Sequence, residues 1–314
     1  MLESAATRDH YAKALIALGE TNKDVVVLDA DLSCSTRTAK FAAKFPDRFF
    51  NAGIAEQNLI GMAAGLACMG KTVFASSFSM FVTGRPWEQI RNSICYPRLN
   101  VKICATHAGI TVGEDGASHQ ALEDITLMRV LPNMKVLVPA DAIEAETMVK
   151  YVADQPGPYY VRMSRGATPL VFDVENFKFE LGKNNVLREG LDVAIMACGI
   201  MVKLSLDAAE VLKKDHNINA AVVNVSSIKP MDEDNVCAMA KKTGAIVTAE
   251  EHTVVGGMGS AVAEVVIKTC PVPMEMLGVE GVFGESGKPN ELLEKHNLTV
   301  DGIVNKALAV ISRK

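Results

Sequence analysis

Val101-Lys-Ile-Cys-Ala-Thr-His-Ala-Gly-Ile-Thr-Val-Gly-Glu-Asp-Gly-Ala-Ser-His-Gln120 is the stretch on which the fold turns. Its first five residues read as a strand, and Ala121–Val130 beyond it has helical spacing. Between them, Thr106–Gln120 is a polar loop with three glycines, two histidines and two acids. Connections of about five residues are ordinary, whereas one of about fifteen is uncommon and often functional. In α/β sheets such a loop at a strand's carboxyl end is where ligands are held.

Outward from it, the β-rich runs Val25–Leu28, Thr72–Ser76, Lys135–Val138 and Tyr159–Arg162 alternate with helical patterns. Those patterns lie at Asp9–Leu18, Ala55–Met69, Pro86–Cys95 and Ala142–Val152. The alternation predicts an α/β fold of βα units on a mainly parallel sheet. Several runs are apolar throughout, as strands covered on both faces are. The pattern breaks near Thr168–Asn185, where Pro169, Gly182 and Asn184–Asn185 interrupt it. A second, smaller α/β unit follows, with strands near Val193–Ala197, Ala220–Val225, Ala245–Ala249 and Met274–Leu277. Its helices fall near Lys203–Lys214, Glu233–Lys242, Ser260–Lys268 and Asp301–Ile311. The predicted division is a first domain over 1–170, a linker over 171–188 and a second domain over 189–314.

Composition bounds the function. Hydrophobic residues at 49% and charged residues at 22% are those of a soluble globular protein. The net charge of −5 is mild, and no Lys/Arg cluster points to nucleic acid. The seven cysteines are dispersed with no CxxC pair, which argues against a disulfide framework and suits a reducing cytoplasm. Met1 to Leu15 has no apolar h-region, so no signal peptide is expected. The uncharged stretches Gln57–Gly70 and Thr72–Gly84 are too short to span a bilayer and read as buried segments.

Five segments carry candidate chemistry. Asn51-Ala-Gly-Ile-Ala-Glu-Gln-Asn58 places Glu56 at the mouth of an apolar, small-residue helix. A first-turn glutamate that merely complements the helix dipole gives the same pattern. Ser76-Ser-Phe-Ser-Met-Phe81 puts Phe78 and Phe81 three apart at a strand-to-helix turn, where core packing reads equally well. In the long loop, His107 and His119 are ligand or structural histidines, and their spacing with Glu114 and Asp115 leaves a metal site only weakly supported. Arg162-Met-Ser-Arg165 offers strand-end arginines for a phosphate or carboxylate, or simply a solvated surface. Glu250-Glu-His-Thr-Val-Val-Gly-Gly-Met-Gly259 lacks the GxGxxG spacing, and tight strand-to-helix packing explains its glycines better than a nucleotide does.

Taken in order over nearly the whole chain, these segments resemble the pyrimidine-binding and C-terminal domains of transketolases. The resemblance runs from Ala6-Thr-Arg8 through Leu28-Asp-Ala-Asp-Leu-Ser-Cys-Ser35, Ile54-Ala-Glu-Gln-Asn58, Phe78, Phe81 and Thr106-His107. It continues through Gly113-Glu-Asp-Gly-Ala-Ser-His-Gln120, Ser164-Arg165, Ile228-Lys-Pro230, Glu250-Glu-His252 and Ser286-Gly-Lys-Pro-Asn290. It implies a thiamine-diphosphate-type pyrimidine-binding domain followed by a smaller transketolase C-terminal domain. It further implies a transferase moving two-carbon ketol units between sugar phosphates, as in pentose phosphate metabolism.

Residue by residue, the resemblance implies that Glu56 shares a proton with N1′ of the cofactor's aminopyrimidine and so activates its thiazolium C2. Phe78 and Phe81 match the aromatic wall, with Phe81 the ring to stack. Asp31 shapes the cofactor side, and His119 lies where some members bind cofactor or donor hydroxyls and assist catalysis. Arg8, Ser35, His107 and Arg165 match the sugar-phosphate positions, and Asp115 the position that reads a substrate hydroxyl.

Two departures stand out. Whole transketolases carry a GDG segment followed about thirty residues later by Asn, which holds Mg²⁺ and the diphosphate. This sequence has no GDG, and the match begins just after Met1. The expectation is therefore a separate N-terminal subunit with the diphosphate-binding domain and most of the Mg²⁺ site, assembled as α2β2. No metal ligands are assigned to this chain, and no nucleic-acid or membrane partner is expected. The second departure is Gly84-Arg85, where many full-length members carry a bulkier residue. A deoxyxylulose-phosphate synthase, a 2-oxoacid dehydrogenase β subunit and a non-catalytic stabilising partner are the alternatives. The two loop histidines and the Ala-Thr-Arg8 start favour a sugar-phosphate enzyme.

Overall fold

The computed structural model describes residues 3–314; Met1 and Leu2 lie outside the described residues. Two α/β sheets carry the chain. The larger has seven strands in the order Ser227–Lys229, Lys135–Leu137, Tyr159–Arg162, Val101–Ala105, Thr72–Ser76, Val25–Asp29, Phe49–Asn51. All its pairings are parallel except that of Ser227–Lys229 with Lys135–Leu137. The three strands Val25–Asp29, Thr72–Ser76 and Val101–Ala105 are buried along their whole length, because helices cover both faces. The helix Thr7–Thr21 packs against Ala142–Ala153 on one face, and Glu56–Cys68 lies on the strands of the other.

The smaller sheet has five strands in the order Met274–Val279, Ile246–Thr253, Val193–Ala197, Ala220–Asn224, Asn185–Arg188. Only Asn185–Arg188 runs antiparallel. The chain is thus a larger, mainly parallel α/β domain followed by a smaller α/β domain.

Most predicted elements are present with ends shifted by a few residues. Three findings differ from the sequence reading. Pro86–Cys95 is no single α-helix: Trp87–Gln89 runs into a wider π turn over Ile90–Cys95. Ser227–Lys229, in the second half of the chain, hydrogen-bonds to the first sheet. The segment Gln57–Gly70 is buried on one face only. Leu59, Ile60, Ala63 and Ala64 face the core, while Gly61 and Gly65 look onto open space, flanked by exposed Ile54 and Met69. Apolar composition had hidden an uncovered face built of small residues. No helix among the described residues is long and apolar enough to cross a membrane.

Candidate active site

The site lies at the carboxyl ends of the parallel strands. Asp29 ends its strand with a buried carboxylate that accepts from Leu32 N at 2.6 Å, Thr36 Oγ1 at 2.6 Å and Thr38 Oγ1 at 2.8 Å. That clamp fixes the turn carrying Asp31, Ser35 and Arg37. Asp31 is tied to Asn51: its N–H donates to Asn51 Oδ1 at 3.0 Å, and Asn51 Nδ2 donates to Asp31 Oδ1 at 3.1 Å. Asn51 in turn accepts from Gly53 N and so shapes the turn entering the helix Glu56–Cys68.

Glu56 opens that helix and is 4% exposed. Its Oε1 is 2.7 Å from Arg85 Nη1, and the Arg85 guanidinium lies 4.2 Å from the Phe81 ring centre. Phe78 and the helix Ser79–Gly84 place the two phenylalanines 5.9 Å apart, nearly parallel. The Phe78 ring stacks on His107 with centres 3.8 Å apart. His119 meets Phe81 edge-on at 5.1 Å. The two aromatics and two histidines expected from the sequence therefore form one continuous wall.

The far end of that wall is cationic. Arg8, in the first turn of Thr7–Thr21, donates through Nη1 to Ser35 O at 3.0 Å and lies 3.5 Å from His107 Nε2. Its buried Nε has no partner among the described residues. Burial and the neighbouring Arg37 lower the Arg8 pKa below the ordinary arginine value. Burial, reinforced by Arg8 and Arg165, pushes His107 down to about 3, so the ring is neutral at physiological pH. Neutral His107 is held by Thr106 Oγ1 at 2.9 Å from Nδ1. Arg37 escaped the sequence reading. It sits at a left-handed φ of 71° with its Nε 3.2 Å from Asp9 Oδ1, and nothing in Ser-Cys-Ser-Thr-Arg37 announces a pocket.

Arg165 and Arg162 part ways. Arg165 is half-buried, donates to the carbonyl of Val112 in the long loop and lies 3.3 Å from the Glu114 carboxylate. Arg162 is buried and structural: its Nε is 2.7 Å from Asp124 Oδ2, and Nη2 donates to the carbonyls of Ala121 and Glu251. Asp115 is exposed at the end of the 3₁₀ turn Ile110–Asp115 and Ser35 is partly exposed beside Arg8, so neither is fixed by the packing that fixes the histidines.

The second half of the chain seats the loop. Glu251 Oε1 accepts from Thr111 N at 2.5 Å, and Gln120 Nε2 donates to Ile110 O and Glu285 O. Ser286 and Pro289 close over Gly116 and Gly113. The Gly-rich turn after Glu250 holds no room for a phosphate: the Glu250 carboxylate accepts from Met258 N at 2.7 Å and Gly259 N at 2.8 Å. Gly109 has φ +83°, and a Cβ there would stand 2.3 Å from the Glu251 carboxyl carbon. Gly109→Ala is accordingly expected to cost roughly 2–4 kcal/mol, from left-handed strain and overpacking together. Equilibrium denaturation of the variant measures it, and an unchanged midpoint would contradict this seating.

Comparison with known proteins places the architecture. The family described as "Transketolase, pyrimidine binding domain" matches residues 3–171, and "Transketolase, C-terminal domain" matches 182–303. A putative transketolase C-terminal section of Methanocaldococcus jannaschii is 49% identical, covering 98% of this chain and 96% of its own length. A 6-deoxy-6-sulfo-D-fructose transketolase subunit of a Clostridium species is 42% identical, covering 100% and 97%. A solved structure described as a split gene transketolase, inactive beta4 tetramer, superposes with a TM-score of 0.91 at 54% identity, covering 98% of both chains. Fold and comparisons together define a pyrimidine-binding-type α/β subunit whose long loop is seated by its own second domain. The chain belongs to the transketolase family, as a C-terminal-type subunit of a split, two-chain transketolase.

Proposed function

We propose that this chain is the pyrimidine-binding subunit of a thiamine-diphosphate-dependent transketolase that moves a two-carbon ketol unit between sugar phosphates once joined by a partner holding the diphosphate. The observation that carries the reading is the pair of contacts at Glu56 and Phe81. A buried carboxylate there faces the same flat, cationic, hydrogen-bonding group that covers the Phe81 ring, at present the Arg85 guanidinium. A protonated aminopyrimidine has that shape and charge, so the residues fit the group. Mg²⁺ and the diphosphate are assigned to the partner. Among the described residues no three His, Cys, Asp or Glu side chains converge to hold a metal.

Bound thiamine diphosphate supplies a carbon nucleophile. The residues of this chain do the rest of the work assigned here. Glu56 holds or gives the proton at N1′, and Phe81, backed by Phe78, stacks the ring and keeps water from it. Asp31, through Asn51, sets the turn that aims Glu56. His119 faces the donor hydroxyls and cofactor from the Phe81 side. Arg8, Arg165 and neutral His107 receive the phosphate, with Arg37 adding charge and Ser35 lining the approach. Asp115, exposed on the loop, reads a substrate hydroxyl. The Clostridium relative is named for a sulfo sugar, whose end is singly charged; three arginines here favour a dianionic phosphate.

The domains 1–170 and 189–314, joined by 171–188 whose last residues Asn185–Arg188 pair into the second sheet, divide the labour: the first carries the wall, the second seats the loop. The open Gly61/Gly65 face of the helix that begins at Glu56 suits close approach of the partner chain, within an α2β2 enzyme of the cytoplasm. Mixing this chain with its diphosphate-binding partner, thiamine diphosphate and Mg²⁺ is expected to give ketol transfer between sugar phosphates, and neither chain alone to give any. A reconstituted complex without transfer would support a stabilising, non-catalytic role instead.

A further inference from the structure

Arg85 occupies the position that the proposed function gives to the cofactor's ring. Its guanidinium is held by two contacts, the Glu56 carboxylate at 2.7 Å and the face of Phe81 at 4.2 Å. It makes no other side-chain hydrogen bond among the described residues. Both anchors belong to the pocket itself. A carboxylate as buried as Glu56 needs a partner when the pocket is empty, and a planar cation over an aromatic face satisfies both groups at once. One face of Phe81 accommodates one flat group.

Arg85 is also free to leave. It follows the helix Ser79–Gly84 at its carboxyl end, and its side chain is 50% exposed at the pocket's rim. Gly84 beside it brings no side chain of its own, and a Cβ there would meet only the Met80 methyl at 3.6 Å. The backbone stays anchored, because Gln57 Nε2 donates to Arg85 O at 3.4 Å.

We infer that Arg85 is a built-in occupant of the aminopyrimidine subsite, which keeps Glu56 charge-compensated in the empty subunit and which the cofactor must displace to bind. This rests on the assignment of the pocket made above. The pocket then exchanges one flat cation for another. Arg85 swings to solvent, and Glu56 passes from an ion pair to a shared proton.

The test uses the complex with the diphosphate-binding partner, titrated calorimetrically with thiamine diphosphate in the presence of Mg²⁺. Arg85→Ala is expected to bind the cofactor roughly fivefold more tightly than wild type, about 1 kcal/mol, since a half-exposed pair is worth little more than that. Arg85→Gln removes the charge and shortens the reach but keeps part of the stem, and should fall between them; it also stands in if the alanine variant folds poorly. Unchanged or weaker binding by both variants overturns the inference, since an arginine that only stabilises the fold, or that grips the bound cofactor, gives that result. A wild-type complex that takes up no thiamine diphosphate overturns the pocket assignment itself.

Discussion

Glu56→Gln in the assembled enzyme is expected to slow hydrogen–deuterium exchange at C2 of bound thiamine diphosphate by roughly 10²–10⁴-fold, the span typical of a lost acid–base group. The substitution is nearly isosteric, so the helix start and the Phe81 wall should stay in place. What is lost is the carboxyl proton at N1′. Cofactor affinity should move far less than exchange. The Arg85 contact makes the variant more informative, because an amide holds the guanidinium less firmly than a carboxylate and so offsets part of any loss in binding. Near-normal exchange would remove Glu56 from the chemistry and leave it as a dipole-complementing helix residue.

Arg8→Ala is expected to lower kcat/KM for a phosphorylated donor by about 10–100-fold, the loss of one charge-assisted hydrogen bond at roughly 1.5–3 kcal/mol. A non-phosphorylated donor of the same chain length should lose little. Arg8 is a cleaner probe than Arg165. Arg165 also holds the loop through Val112 O, so its removal would disturb the histidines as well as the charge. Arg8 has an unspent Nε, and burial together with its cationic neighbours lowers its pKa. Comparable losses for both donors would make Arg8 a structural residue that props Ser35 and His107.

Much of the fold was legible because parallel strands buried on both faces leave apolar runs, and helices between them leave a period of 3.6. Val101–Ala105 and Tyr159–Arg162 were read to the residue for that reason. Short elements held by tertiary contacts were not legible: Ser227–Lys229 is three residues whose pairing partner lies about ninety positions earlier in the chain. The π turn at Ile90–Cys95 differs from an α-helix by one hydrogen-bond register, which side-chain spacing cannot report.

At the site, the resemblance located the polar and aromatic residues, but not what each one touches. Arg162 and Arg165 stand three apart in the same motif; only burial against Asp124 separates the strut from the candidate ligand. Glu56 and Arg85 meet across 29 positions because two helices converge, and neither local sequence shows it. Arg37 lies among small polar residues, and its approach to Arg8 depends on the Asp29 clamp.

The strand Ser227–Lys229 has a consequence for how the molecule can be divided. It caps the Lys135–Leu137 edge of the first sheet, and Lys229 Nζ reaches back to the carbonyls of Arg129 and Leu131 at 2.8 and 2.6 Å. A fragment ending at the linker would carry a bare strand edge of the kind that recruits foreign strands and aggregates. The two halves are therefore not interchangeable modules. Grafting either onto a relative would require moving a strand of one with the sheet of the other, so recombination within this chain is constrained by a seam that lies well past the apparent domain border.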